Sequence, residues 1–254
     1  MFEKYRQWIA NASDHAIIGN RALILLGDSL EVLDDGGAAQ ADAVICDPPY
    51  DFDASGGPSL FKRDSKNYFN TMRDKGLADG FDIRILEKAS RAPSMAVFFH
   101  NDQLAAMARF FDEANYDRTV LCGWNKTNPM PVANKHYIPD TELYIHAWRN
   151  PAFPQGAIED KRRFIFAPVG KSEWDHPTVK PQRVMRKIVT NASQPGDVVL
   201  DPFSGSGSTG VAALALGRYY IGIEKDPEFF ELSKERLSLA AQVQYENAKT
   251  PTLF

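Results

Sequence analysis

The segment Asp47-Pro48-Pro49-Tyr50 carries residue types that suit an exocyclic amino group attached to a flat ring. It follows the apolar residues 43–46, a pattern that predicts a turn at the carboxyl end of a buried strand. Each proline fixes its own φ, and Pro49 also restricts Pro48, so the carbonyl groups of the turn are held in set directions. The Asp47 carboxylate and a proline carbonyl could then accept both hydrogens of one NH₂ group, while the Tyr50 ring offers a face for stacking. The alternative is a rigid turn that merely ends the strand.

A glycine-rich loop near the carboxyl end of the chain predicts a binding site for a nucleoside-containing cofactor. The loop Asp201-Pro202-Phe203-Ser204-Gly205-Ser206-Gly207 lies between a predicted strand and a predicted helix, and with Gly210 it matches the dinucleotide-binding fingerprint. Glycines allow a sharp turn and close approach of a ligand, and a helix N-terminus favours a negative group. Glu224, at the end of the next predicted strand, could accept hydrogen bonds from two ribose hydroxyls. The alternative is a glycine-rich turn that serves only packing.

Short apolar segments that alternate with helical patterns predict an α/β fold with a mostly parallel sheet. Ligands bind beyond the carboxyl ends of the strands in such a sheet, so both motifs are expected at one edge despite their separation in sequence. Long stretches without a regular pattern, at residues 51–80, 124–140 and 148–180, are expected to be functional loops. The predicted strands are Arg21–Leu26, Ala43–Cys46, Met95–Phe99, Arg118–Gly123, Glu142–Ala147, Val198–Leu200 and Tyr219–Ile223. The predicted helices are a short one from Ser29, then Phe81–Arg91, Gln103–Ala114, one opened by Pro181, Ser208–Leu216 and a last one after Pro227.

Composition excludes several classes of protein. The 254 residues contain 44% hydrophobic and 24% charged side chains, which favours one globular domain over residues 1–254 and excludes a collagen, coiled-coil or disordered chain. No apolar run is long enough to cross a membrane, and the first residues show no secretory signal. Cys46 and Cys122 cannot form a disulfide framework, and no Cys/His spacing indicates a metal site. A reduced, cytoplasmic location is therefore expected.

The charge is unevenly distributed, although a net charge of −4 does not by itself indicate a nucleic-acid-binding protein. Residues 118–187 contain twelve Lys or Arg and six Asp or Glu, a local charge of +6. A basic segment in an otherwise acidic chain suits contact with a polyanion, and a solvated surface is the alternative.

These motifs, in this order, resemble those of the circularly permuted β group of S-adenosylmethionine-dependent DNA amino-methyltransferases. The resemblance covers about residues 20–240. The Asp47–Tyr50 turn resembles the catalytic motif of that group, the loop 201–207 resembles its methionine-binding loop, and Glu224 is similar to its ribose-binding acid.

Three further segments carry the resemblance. Asp28, after Gly27, is similar to the residue that holds the cofactor adenine, and a helix N-cap before Ser29 is the alternative. Thr178 and Lys180, in the segment 176–181, resemble the motif that closes the methionine end of the pocket, and capping of the following helix is the alternative. The segment 124–131 resembles one found in adenine-specific members.

The resemblance implies direct methyl transfer from S-adenosylmethionine to the N6 amino group of an adenine flipped out of double-stranded DNA, with S-adenosylhomocysteine as product and no metal. Asp47 and the Pro48 carbonyl would accept hydrogen bonds from the amine, and Tyr50 would stack on the base. It also implies a Rossmann-like sheet with an antiparallel edge and helices on both faces, a mobile loop at residues 51–80 and a small target-recognition region at residues 124–175. A homodimer, a nucleoid-associated location and a separate restriction nuclease are expected from the family alone.

Basic side chains of the segment 118–187 are the expected contacts to DNA phosphates. The candidates are Lys126, Lys135, Arg149, Lys161, Arg162 and Arg163. For Lys161, Arg162 and Arg163, a solvated surface is the alternative.

Three other functions fit part of the pattern. A cytosine-N4 methyltransferase would use the same acceptors, and the resemblance favours adenine because Asp47 stands where a serine would favour cytosine. A nicotinamide-dependent dehydrogenase would explain the glycine loop but not the Asp-Pro-Pro-Tyr turn. A DNA-binding regulator with an inactive cofactor pocket would not need Asp47 and Glu224 intact.

Overall fold

The computed structural model describes residues 1–33, 41–50, 80–129, 137–170 and 179–249, with side chains up to residue 243. Its strands are β1 (Asp14–Ile18), β2 (Ala22–Leu26), β3 (Ala43–Cys46), β4 (Ser94–Phe99), β5 (Arg118–Lys126), β6 (Thr141–Trp148), β7 (Phe164–Ala167), β8 (Val198–Asp201) and β9 (Tyr219–Glu224). Its α-helices are α1 (Arg6–Asn11), α2 (Ser29–Val32), α3 (Arg84–Ala89), α4 (Leu104–Glu113), α5 (Gln182–Ala192), α6 (Ser208–Ala215) and α7 (Pro227–Lys249). Two 3₁₀ helices cover Phe2–Tyr5 and Asn101–Gln103.

The strands within these ranges form one sheet with the order β1-β2-β9-β8-β3-β4-β6-β5-β7. The central strands from β2 to β4 are parallel, and every residue of β3, β4 and β8 is buried. Continuous apolar segments of this kind are typical of parallel strands that are covered on both faces. β1 is antiparallel to β2 at one end of the sheet, and β6 is antiparallel to both β4 and β5 near the other end. The predicted α/β fold with a mostly parallel sheet is confirmed.

Helices cover both faces of the sheet and bury two separate hydrophobic clusters. One cluster contains Val32 of α2, Leu86 of α3 and Phe110 of α4, packed against alternate residues of the central strands. The other contains Ile188 of α5 and Leu237 of α7, together with α6, on the opposite face. Burial of apolar surface on both sides fixes the strands and therefore the positions of the loops that follow them.

The structure differs from the predicted elements at the ends of the sheet. β1 and β7 were not predicted, because each is short and each pairs with a single neighbouring strand. β7 has only four residues, all hydrophobic, of which Ile165 and Ala167 are buried and Phe164 and Phe166 are exposed. Its sequence therefore lacks the alternation of apolar and polar residues that predicts a half-buried strand. β5 was predicted to end at Gly123, but it continues to Lys126 and carries that lysine to the site described next.

No helix in the described part of the chain is long and apolar enough to cross a membrane.

Candidate active site

The carboxyl ends of four adjacent parallel strands bring the two sequence motifs to one edge of the sheet. Asp28 follows β2, Glu224 ends β9, Asp201 ends β8, and Asp47 follows β3. The Asp47–Tyr50 turn, which we call the catalytic turn after its predicted role, and the glycine loop therefore follow neighbouring strands, although most of the chain separates them in sequence. A ligand that lies across these strand ends would meet both motifs.

Four charged side chains meet beside the Asp-Pro-Pro-Tyr turn, and we call Asp47, Lys126, Glu142 and Lys180 the charge cluster. Lys180 Nζ lies 2.5 Å from Asp47 Oδ2 and 2.9 Å from Glu142 Oε2. The other carboxylate oxygen of Glu142, Oε1, lies 2.8 Å from Lys126 Nζ. The Lys180 side chain is 8% exposed and that of Glu142 18%, so water screens these ion pairs only weakly. The four charges form a continuous chain in the order Asp47, Lys180, Glu142, Lys126.

Tyr50 completes the contacts around Asp47. Its hydroxyl donates a hydrogen bond of 2.9 Å to Asp47 Oδ1 and lies 3.4 Å from Glu142 Oε2. Each oxygen of Asp47 therefore faces one donor, which fixes the orientation of the carboxylate. An ionised carboxylate offers about four acceptor sites, so Asp47 keeps the capacity to accept from an incoming amino group.

Burial and ion pairing oppose each other in the charge cluster. Burial alone would raise the pKa of Glu142, but the ammonium groups of Lys180 and Lys126 lower this pKa to about 2. Burial alone would lower the pKa of Lys180, but Asp47 and Glu142 raise it above its ordinary value. Burial raises the pKa of Asp47, and pairing with Lys180 opposes that shift. With all four groups ionised, the two carboxylates and two ammonium groups carry no net charge.

The charge cluster corrects one predicted role, gives Lys180 a contact that was not predicted, and adds a residue that the sequence analysis missed. Lys126 was predicted to contact phosphate, but it pairs with Glu142 and is only 17% exposed. Lys180 was predicted to line the cofactor pocket or to cap the following helix. Its ammonium group contacts Asp47, and the cofactor contact stays a prediction. Glu142 was not predicted at all, and the available signal was a carboxylate near the start of the otherwise largely apolar strand β6.

The glycine loop takes a backbone conformation that explains its composition. Gly205 and Gly207 have φ values of +51° and +74°, a region that side chains with a Cβ rarely adopt. A Cβ on Gly207 would also lie 2.6 Å from Ser233 Oγ of α7. At the third glycine of the fingerprint, Gly210, a Cβ would lie 2.6 Å from both Leu237 and Tyr220, so this glycine allows close packing of α6 against the sheet and α7. The glycines of this segment therefore meet two requirements, positive φ values at Gly205 and Gly207 and close packing at Gly207 and Gly210.

Glu224 holds the glycine loop through main-chain hydrogen bonds. Its Oε2 accepts from the Gly205 N–H at 2.7 Å, and its Oε1 accepts from the Asp226 N–H at 2.8 Å. Asp201 is buried and accepts from the Phe203 N–H at 3.0 Å. Burial raises the pKa of Asp201 to about 7, and the negative charge of Asp47 contributes to this rise. The two motifs are therefore close enough to influence each other electrostatically.

The remaining predicted cofactor residues occupy the same edge of the sheet. Asp28 caps α2, because its carboxylate accepts from the Leu30 N–H at 2.8 Å, so the alternative role is present in the structure. The Ser204 hydroxyl lies 3.0 Å from Tyr220 and 3.3 Å from Ser233. The Ser206 carbonyl accepts from Arg236 at 2.5 Å. The contacts of Ser204 and Ser206 support the glycine loop and that of Asp28 supports α2, whereas the predicted cofactor contacts of all three stay predictions.

The predicted DNA contacts separate into different groups. Arg149 is a correction: its guanidinium group donates to the carbonyls of Ser90, Ala92 and Ala114 and stacks on the Tyr116 ring, which leaves it a structural role. The triplet of Lys161, Arg162 and Arg163 is exposed, as a phosphate contact requires. Lys135, Thr178 and almost all of the loop predicted at 51–80 lie outside the described residues.

Comparison with known proteins shows which family this chain belongs to. The model of the protein family described as DNA methylase matches residues 41–235. This span includes the catalytic turn, the whole charge cluster and the glycine loop. The site is therefore that of a DNA methyltransferase, and the chain belongs to the DNA methylase family of N6 and N4 amino-methyltransferases. The prediction of a DNA amino-methyltransferase is confirmed, and its circularly permuted β group stays a prediction.

Individual relatives agree with the family. The type II methyltransferase M2.LlaDCHI of Lactococcus lactis subsp. cremoris is 27% identical over 87% of this chain and 90% of its own. The DNA adenine methyltransferase YhdJ of Escherichia coli K12 is 44% identical over a shorter stretch, 28% of this chain and 24% of its own. Among solved structures, the complex of M1.HpyAVI with SAM is 28% identical with a TM-score of 0.63, over 85% of this chain and 98% of that one.

Proposed function

We propose that this protein transfers a methyl group from S-adenosylmethionine to the N6 amino group of an adenine flipped out of double-stranded DNA. The observation that carries the proposal is the meeting of a fixed carboxylate, Asp47, with a glycine loop at one edge of the sheet. The order of the motifs, with the catalytic turn before the glycine loop, supports the circularly permuted β group.

The catalytic turn suits an exocyclic amine. Asp47 is fixed by Tyr50 and Lys180 and still has acceptor sites, and Pro48 adds a carbonyl held by the two prolines. Two acceptors that draw the amine hydrogens out of the ring plane would reduce conjugation of the nitrogen lone pair and expose it to an electrophile. The Tyr50 ring would stack on the base and hold it during the reaction.

The described residues at the glycine loop fit the proposed cofactor. When bound, S-adenosylmethionine supplies an electrophilic methyl group on a sulfonium sulfur. Glu224 already accepts two main-chain hydrogen bonds, and its remaining acceptor sites suit ribose hydroxyls. Phe203 packs edge-on against Phe81 with ring centroids 5.3 Å apart, which gives the loop an apolar wall. Asp28 can accept a hydrogen bond from a cofactor adenine while it caps α2.

Adenine is favoured over cytosine for two reasons. Asp47 stands at the position where the resemblance associates serine with cytosine-N4 enzymes, and one relative, YhdJ, is named as a DNA adenine methyltransferase. We further propose that residues 124–175 recognise the target site, that residues 51–80 form a loop beside the active site, and that Lys161–Arg163 contact phosphates. Homodimerisation, a separate nuclease and location with the nucleoid in the cytoplasm are part of the same proposal.

The direct test is transfer of an isotope-labelled methyl group from S-adenosylmethionine to unmethylated double-stranded DNA, followed by digestion to nucleosides. We expect the label in N6-methyladenine. Label in N4-methylcytosine would contradict the choice of base and leave the reaction type intact. Binding of the cofactor without transfer to DNA of diverse sequence would instead favour the non-catalytic regulator.

A further inference from the structure

The proposed roles of Asp47 and Tyr50 do not explain why two lysines and a second carboxylate lie beside them in the charge cluster. Within the described residues, its two carboxylates and two ammonium groups balance, and each ion pair is partly buried. A buried ion pair is costly to form, and loss of one partner leaves an uncompensated charge. Methyl transfer requires neither lysine to reach the reacting atoms, so the cluster needs another explanation.

The charge that develops during the proposed reaction provides one, and this step rests on the proposed function. The amino nitrogen forms a bond to the methyl carbon while the carbon–sulfur bond breaks and its electron pair stays on sulfur. Positive charge thus moves from sulfur to the nitrogen beside Asp47, and it remains there until that nitrogen loses a proton. Excess positive charge in the cluster would oppose this step, whereas a neutral cluster would not.

We propose that Glu142 is a positioning residue of methyl transfer, which holds the Lys180 ammonium group on Asp47 and keeps the cluster free of net positive charge. Each carboxylate oxygen of Glu142 pairs with a different lysine: Oε2 pairs with Lys180 and Oε1 pairs with Lys126. Glu142 of β6 lies opposite Trp124 of the adjacent strand β5, and Lys126 lies two residues further along β5, on the same face as Trp124. The sheet therefore brings Lys126 within reach of Glu142. The other nearby carboxyl group, Asp201, bonds within the glycine loop instead of joining the cluster.

Neutral substitution of either residue of the Glu142–Lys126 ion pair changes the net charge of the cluster in opposite directions. Glu142→Gln keeps the shape of the side chain and leaves a net charge of +1 among the four positions. Lys126→Gln breaks the same ion pair but leaves −1, and the double variant restores neutrality. A purely structural ion pair would make the two single variants similar, whereas charge balance would make them different.

The experiment measures kcat for DNA methylation, cofactor Kd and thermal unfolding for the wild type, the two single variants and the double variant. We expect Glu142→Gln to lower kcat by about 10- to 100-fold with cofactor Kd within a few-fold of wild type. Lys126→Gln should lower kcat by less than about 5-fold. The double variant restores neutrality but not the Glu142–Lys180 ion pair, so it should recover part of the activity that Glu142→Gln loses.

Equal losses in the two single variants, or a double variant no better than Glu142→Gln, would overturn the inference. Thermal unfolding identifies a variant that fails to fold, and Glu142→Asp, which keeps the charge, then provides the second comparison. This variant should retain more activity than Glu142→Gln, and the reverse order would also overturn the inference. A wild-type protein without methyl transfer would instead contradict the proposed function.

Discussion

The two halves of the site are held by different forces. The glycine loop is held largely through main-chain groups, because Glu224 accepts from two N–H donors and Arg236 donates to the Ser206 carbonyl. The catalytic turn is held by side chains, because Lys180 contacts Asp47 from a distant segment and Tyr50 contacts it from within the turn. The first half depends on backbone conformation, and the second depends on the charges of groups brought together by the fold.

This difference sets what each half tolerates. The N–H donors of the main chain do not titrate, so the glycine loop should respond mainly to changes in backbone shape or in the carboxylates that accept from it, Glu224 and Asp201. Ion pairs change with protonation and with the loss of one partner, so the activity of the charge cluster should respond most strongly to neutral substitution of its carboxylates.

The largest effect is expected at Asp47. Asp47→Ala should lower kcat by more than about 1000-fold, because the amine acceptor and the partner of Lys180 are lost together. Cofactor Kd should stay within a few-fold of wild type, because the glycine loop does not depend on this side chain. Single-turnover methylation and calorimetric binding measure the two quantities. Loss of cofactor binding would show that the two halves are not independent.

The same contrast explains what the sequence could predict. The glycine loop and Glu224 lie within one strand–helix–strand unit, β8-α6-β9, so their spacing alone indicated their relation. The charge cluster draws one residue each from the turn after β3, from β5, from β6 and from the segment before α5. No local pattern links such residues. Lys126 was therefore assigned to DNA and Glu142 to nothing, because only the antiparallel pairing of β5 with β6 brings them together.

Two buried groups, His146 and Asp201, should make stability depend on pH with opposite sign. Burial lowers the pKa of His146, on β6, to about 4. This value lies below the unfolded value of about 6.5, so the stabilisation is present above pH 6.5 and is lost as pH falls. Burial raises the pKa of Asp201, beside the glycine loop, to about 7. Its stabilisation is present below about pH 4 and is lost as pH rises through 7.

Urea unfolding at pH 7 and pH 5 can separate these contributions. From pH 7 to pH 5, the wild type loses the stabilisation that depends on neutral His146, and His146→Gln does not. The free energy of unfolding of this variant should therefore rise by about 2 kcal/mol relative to wild type over this interval. That of Asp201→Asn should fall by about 2 kcal/mol relative to wild type over the same interval. Changes in the same direction for both variants would contradict the assignment of the two groups.

A smaller effect is expected at Glu224. Glu224→Ala should weaken binding of S-adenosylmethionine by about 1–3 kcal/mol, because ribose hydroxyls and the Gly205 N–H lose a shared acceptor. Glu224→Gln is the matched control, since it keeps one oxygen acceptor, and it should weaken binding less. Isothermal titration calorimetry measures both. Wild-type affinity in Glu224→Ala would refute the ribose contact.

The smallest effect concerns a surface that belongs to neither half. Replacement of Lys161, Arg162 and Arg163 by alanine should reduce the dependence of DNA affinity on salt, by a slope of about 0.9 for each phosphate that the protein no longer neutralises. Arg149→Ala should instead lower stability and leave that slope unchanged, because its guanidinium group bonds to three carbonyls inside the fold. Exposed Arg91 and Arg109, outside the basic segment, provide the control substitutions. An unchanged slope for the triple variant would remove these residues from the DNA interface, and the predicted polyanion contact would then need other basic side chains.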